Sequence, residues 1–201
     1  MSGLIPVQKG TNTPYFGSVH KYYVSASDST ALFIGDPVAL SNTNADPTGK
    51  YPTVVKATLA ANNQLIGSVV AVLPVDRALT GAPLEVTYRP ASTAAYVLVA
   101  DDPDQEFIII EDADTTPIAA TALGNLGIAV AGSGGSTVYG TSSVALDSSS
   151  FAAGTATGQY LLLGMVDRDD LDLHGVSGNA SWFRVKINEA LHGLATPPTN
   201  V

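Results

Sequence analysis

The sequence predicts an all-β protein, an antiparallel β-barrel or a jelly-roll-like sandwich with one short helix and an extended N-terminal arm. Three observations lead there. Apolar residues come in short runs rich in β-branched side chains, which suit a pleated, half-buried surface. The runs are broken by Gly, Pro, Asn, Asp and Ser, the residues that turns use. No long helical period lies between them, so nothing supplies the crossovers of a parallel sheet.

Residues 1–15 come first and hold Leu4, Ile5 and Val7, two prolines and a polar link over 9–13, without a period of their own. Two readings fit such a segment: a disordered terminus, or an arm that lies on a neighbouring subunit and gains main-chain hydrogen bonds by strand addition. The β-rich domain, 16–194, follows, with strands predicted over 19–24, 36–40, 52–59, 64–73, 84–88, 95–100 and 106–111. Its second half adds strands over 126–131, 136–146, 159–166 and 181–188. Between the halves a helix is predicted: Thr115 or Thr116 caps it, Pro117 takes the first helical position, 118–123 are mostly good helix formers and Gly124 ends it. The stretch 56–63 reads equally as helix or strand. Gly/Ser-rich segments at 132–136, 141–143 and 148–150 read as hairpin tips or as a boundary between two lobes, near 112–116 and 147–158. The tail 195–201, with Pro197 and Pro198, is expected to be irregular.

A chain of 201 residues and 20.6 kDa accommodates one large all-β domain or two small lobes. It has no cysteine, which removes disulfides, thiolate metal sites and a cysteine nucleophile. Charged residues make up 13%, about half the usual share near 25%, and mean hydropathy is +0.21. A surface with few ions loses little hydration when it meets another surface, so permanent assembly is expected. The net charge of −9, with the nine basic residues scattered, argues against phosphate neutralisation and hence against nucleic-acid binding. No apolar stretch approaches the roughly 20 residues of a membrane span, and the opening MSGLIPVQKG lacks the features of a secretion signal, so synthesis in the cytosol is expected.

Candidate chemistry is sparse, and no catalytic residue, cofactor or metal ligand is assigned. His20, His174 and His192 follow no metal-ligand spacing. The run Gly132-Ser133-Gly134-Gly135 misses both the nucleophile-elbow pattern and the phosphate-loop pattern, and a flexible turn explains it. Acidic residues gather at Asp101, Asp102, Asp104 and Glu106, at Glu111, Asp112 and Asp114, and at Asp167, Asp169, Asp170 and Asp172. Such runs serve exposed turns or bind calcium, and none has the EF-hand spacing. Trp182 opens an alternating strand and is either core or an interface anchor. Tyr22, Tyr23, Tyr88 and Tyr96 could form a sugar platform beside carboxylates, which keeps a tail, fibre or carbohydrate-binding module open as an alternative.

Several strings together resemble the decoration, or cement, proteins of tailed-bacteriophage heads. One is Gly35-Asp36-Pro37-Val38, then Ile66-Gly67-Ser68-Val69-Val70; another is Val99-Ala100-Asp101-Asp102-Pro103-Asp104-Gln105-Glu106-Phe107. The third is Leu163-Gly164-Met165-Val166-Asp167, with Asn179-Ala180-Ser181-Trp182 and Val185-Lys186-Ile187-Asn188-Glu189. The resemblance implies a β-barrel or jelly-roll-like fold on the capsid exterior and self-association, with a homotrimer expected first and a dimer second. It implies that the partner is the major capsid protein, clamped across adjacent subunits, and it carries over no active-site residues. Leu4, Ile5 and Val7 are the expected arm contacts, with Trp182 as a further interface candidate.

Overall fold

The computed structural model describes residues 3–10, 13–43, 45–75, 86–112, 114–132, 134–153, 157–166 and 181–194. Its strands are β1 (Ile5–Lys9), β2 (Thr13–Pro14), β3 (His20–Val24), β4 (Leu32–Phe33), β5 (Pro37–Ser41), β6 (Thr53–Lys56), β7 (Gly67–Pro74) and β8 (Tyr88–Arg89). They continue with β9 (Ala95–Ala100), β10 (Gln105–Ile110), β11 (Leu126–Gly127), β12 (Ala129–Ala131), β13 (Val144–Leu146), β14 (Tyr160–Met165) and β15 (Trp182–Ile187). One α-helix, α1 (Ser148–Ala153), and two single 3-10 turns complete the described elements. The protein is all-β and mostly antiparallel, as the short apolar runs predict.

Five strands close a barrel in the order β3-β6-β5-β7-β9. All its neighbours are antiparallel except β3 and β6, which meet in parallel at Tyr23 and Thr53. A barrel this narrow is filled by its own side chains, here Val24, Val38, Val54, Val69, Val72, Val97 and Val99. A bulge in β7 between Val69 and Ala71 breaks the strict alternation. Val69 and Val72 therefore both point into the barrel, while Val70 packs on a second core.

That second core lies on a six-stranded sheet of order β11-β14-β15-β10-β1-β2. Alternation is plain there: Phe183, Val185 and Ile187 of β15 are buried, and Phe107 and Ile109 of β10 stand opposite Val185 and Phe183. The chain leaves the barrel at Ala100 and enters this sheet at Gln105.

The N-terminal segment is extended, but its partner is its own chain. β1 pairs with β10 along its length, and Leu4, 1% exposed, sits in the second core. Its backbone is fastened as well: the Leu4 amide donates to Gly35 O at 2.9 Å and Ser68 Oγ donates to Leu4 O at 2.7 Å. β1 (Ile5–Lys9) and β2 (Thr13–Pro14) are thus two strands of the main sheet. The segment expected as a disordered terminus or an arm on a neighbouring subunit is here an ordered part of this chain's own sheet, with Leu4 in the second core.

The helix predicted before Gly124 shrinks to a 3-10 turn, Ala120–Ala122. Ile118 is fully buried and its amide donates to the Glu111 carboxylate at 3.0 Å, which pins the segment before a helix can wind. The α-helix forms instead in the serine-rich stretch after Asp147, whose carboxylate accepts from the Ser150 amide at 3.2 Å. Serine is a modest helix former, so tertiary packing through the fully buried Phe151 decides the outcome.

Candidate interaction surface

An apolar groove of about 460 Å³ runs between β1, the turn at Ile34 and Gly35, β7 and the loop 136–141. Ile5, Pro6, Tyr15, Val69, Val70 and Tyr139 contribute to its walls, and no charged side chain lines it. Tyr15 presents an apolar ring there because its hydroxyl is buried; burial, and then the Asp101 charge, push that phenol's pKa up.

Two glycines shape the groove. Gly35 has φ +91°, and a Cβ on it would stand 3.2 Å from Gly3 Cα, so the N-terminal chain lies flat on the turn. Gly140 has φ +68°, and a Cβ there would meet Thr87 O at 1.9 Å. That close approach clamps the loop: Ile34 N donates to Gly140 O and Ser142 N donates to Ile34 O, each at 2.8 Å. With its base held, the loop turns Val138 and Tyr139 outward, 75% and 77% exposed. Phe16, which follows the groove residue Tyr15 in sequence, is 84% exposed. An uncharged groove lined in part by a largely exposed aromatic side chain is a candidate interaction surface.

The structure brings Leu4 and Ile5 to this groove. Val7 is half-buried in β1 and accepts from the Tyr15 amide at 3.0 Å. Trp182 lies elsewhere, 8% exposed at the start of β15 and paired with Ile110. Leu4 and Trp182 are both buried within this chain. Sequence reasoning missed Tyr15, Phe16, Val138 and Tyr139. The available signal was the Val138-Tyr139 pair inside a stretch of Gly, Ser and Thr, but as part of 136–146 it reads as a strand, and exposure is not local information.

The acidic run 101–106 is satisfied by bases of the same chain. Asp101, 2% exposed, bonds His20 Nδ1 at 2.8 Å and accepts from the Tyr22 hydroxyl, which burial and this carboxylate hold protonated far above the usual range. Asp102 pairs with Lys9, whose hydrogen bond pulls that carboxyl's pKa down. Asp104 meets Lys186 Nζ at 2.7 Å, and Glu106 lies 3.2 Å from Arg184 Nε. In the second run, Glu111 accepts from the Ile118 and Ser181 amides, while Asp112 and Asp114 both accept from Ser148 Oγ. A calcium ion at 101–106 would have to displace lysines. Among the described residues no three His, Asp or Glu side chains gather as a metal set. Ser133, His174 and the run Asp167, Asp169, Asp170 and Asp172 lie outside the described residues.

The proposed sugar platform is not assembled. Tyr22, Tyr23 and Tyr96 are buried, and Tyr88 stacks on Phe33 at 5.1 Å with an interplanar angle of 9°. Asp36, the polar residue in the first resemblance string, is fully buried. It accepts from Phe33 N and Lys56 Nζ, each at 2.9 Å, and from Ser142 Oγ at 2.6 Å, which makes it a structural hub.

Comparison of the chain with protein-family models, with curated proteins and with solved structures finds no match in any of the three.

Proposed function

We propose that this is a virion structural protein that decorates the outside of a phage capsid and clamps adjacent major capsid protein subunits. The observation that carries the reading is the uncharged groove, whose lining residue Tyr139 is itself 77% exposed. Such a face is suited to protein contact, whereas the carboxylates Asp36, Asp101, Asp102, Glu106 and Glu111 are engaged within the fold. The low charge of the chain and the resemblance strings support the same reading. The work is done by surfaces and needs neither cofactor nor catalysis. Each copy that bridges a subunit boundary adds its binding free energy to the assembled state, so many modest contacts raise the work needed to separate capsomers. A contact of this kind would bury about 1,000 Å² or more per copy.

Co-sedimentation with undecorated phage capsids tests the proposal. The expected result is saturable binding at a fixed ratio to capsid subunits, together with greater heat resistance of the shell. A folded sample that fails to bind such capsids would overturn it.

A further inference from the structure

We propose that the outer face of the barrel carries a second site, an aromatic cage for a quaternary ammonium cation, formed by Tyr51 and Tyr96 and occupied in the chain alone by the ammonium of Lys21. The strand pairing builds it. Tyr23 of β3 stands opposite Tyr96 of β9 and meets Thr53 of β6 in parallel. Tyr22, Val24, Val97 and Val99 fill the barrel, so alternation turns Lys21, Tyr23 and Tyr96 to its outer face. Tyr51, two residues before β6, reaches the same face: its ring lies 5.4 Å from that of Tyr96 at 70°, and Tyr23 meets Tyr96 at 5.7 Å and 58°. No residue of this cluster lines the groove described above.

Lys21 shows which chemistry the cage accepts. Its Nζ lies 3.9 Å from the Tyr96 ring centroid and 4.6 Å from that of Tyr51, over both rings. An aromatic face attracts a cation, and two rings at a steep angle offer two such faces to one charge. Both walls are held without help from Lys21. The Tyr96 hydroxyl donates to Asp46 Oδ1 at 3.2 Å, and Asp46, 4% exposed, also accepts from the Lys50 and Tyr51 amides at 3.0 and 3.2 Å. One buried carboxylate thus fixes the backbone of Tyr51 and the tip of Tyr96, and adds negative potential behind the rings.

The resident cation is a weak occupant. A primary ammonium is strongly hydrated and has three N–H donors, for which ring faces supply no lone pair. The cation–π contact of a partly exposed lysine amounts to about two- to fivefold in an equilibrium constant. Lys21 and Tyr51 are both half-buried, so solvent reaches the edge of the cage. A quaternary ammonium has no N–H to satisfy and gives up less hydration on the same two faces. It therefore displaces Lys21 at the cost of that modest factor.

The test is a titration of the full chain with tetramethylammonium chloride, against sodium chloride at equal ionic strength, followed by NMR of the ligand methyl protons and the tyrosine ring protons. The expected result is a saturable upfield shift of the methyl protons, as ring faces impose, with the Tyr51 and Tyr96 resonances moving together. Lys21→Ala, which vacates the cage, is expected to bind about two- to fivefold more tightly than the parent. Tyr51→Leu, which removes one face, is expected to bind about two- to fivefold more weakly. Circular dichroism certifies the fold of each variant, and if Tyr51→Leu does not fold, the parent and Lys21→Ala decide between them. Absence of a saturable shift in both the parent and folded Lys21→Ala, or an affinity that does not rise in Lys21→Ala, overturns the proposal.

Discussion

Ser142 Oγ donates to Asp36 Oδ1 at 2.6 Å, joining the segment that leads into β13 to the turn that opens β5. The two residues are 106 positions apart, and their bond ties the second body to the barrel. The other Asp36 oxygen takes Lys56 Nζ and the Phe33 amide, so one buried carboxylate has three donors.

Asp36→Ala should therefore be among the most damaging single changes, costing about 3–5 kcal/mol because it leaves Lys56 and Ser142 without their buried acceptor. Ser142→Ala should cost about 1–3 kcal/mol. Urea unfolding of the two variants checks both values, and the ranking matters more than either number. If Ser142→Ala proved as damaging as Asp36→Ala, the carboxylate would not be the hub.

Arg89 is fully buried and donates to the carbonyls of Ser25, Asp28, Thr30 and Thr93. Its planar fork fixes the segment between β3 and β4 in a way that a single ammonium cannot copy. Arg89→Lys should lose about 2–4 kcal/mol, since several buried carbonyls lose a charged donor. Limited proteolysis should then cut within 25–31 before any other described loop. An unchanged cleavage pattern would count against this role.

Leu4→Ala should cost about 2–5 kcal/mol, the range for a leucine removed from a packed core. Deletion of residues 1–14 should unfold or strongly destabilise the chain, because it removes both β1 and β2 and leaves the edge of β10 unpaired. Thermal melting distinguishes this from an arm, whose removal would leave the melting temperature unchanged.

Acid should weaken the fold in two windows. His192 is fully buried and its Nδ1 accepts from the Leu194 amide at 3.3 Å. Burial pushes its pKa down, opposed by Asp101 and Asp102, with Lys186 adding to the depression. The folded state then binds its proton less readily than the unfolded state does, so the stability is present above about pH 6.5 and is lost as pH falls through the depressed value. His192→Gln should flatten that part of the curve of stability against pH.

The second window belongs to Asp46. Burial raises its pKa, but hydrogen bonds from the Thr48 hydroxyl and from the Lys50, Thr48 and Tyr51 amides outweigh that and hold it at about 2. Its contribution is complete above the unfolded value near 4 and is lost as pH falls through about 2. Asp46→Asn should remove the slope between those limits, as read by urea unfolding at stepped pH.

Strand positions were legible because their causes are local. The run at 95–100 becomes β9 with the same limits, and the alternation in 181–188 becomes β15 with Phe183, Val185 and Ile187 on the buried face. Turn residues and a period of two act within a few residues of the chain. The helix was misplaced because two weak local signals competed. Packing of Phe151 and the hold of Glu111 on Ile118 decided between them from outside each segment.

The all-β class, the low charge and the absence of cysteine were thus determined by the sequence itself. Which strands close the barrel, which chain β1 pairs with and which apolar residues face water were decided only by the tertiary structure. Pairing partners lie far apart along the chain, as Ile5 and Ile108 do, and burial depends on what arrives from elsewhere. Leu4 and Tyr139 look equally apolar in sequence. One is sealed beneath the second core and the other stands in solvent, because Gly140 lets the loop at 136–141 turn against Thr87 while β10 draws the N-terminus inward.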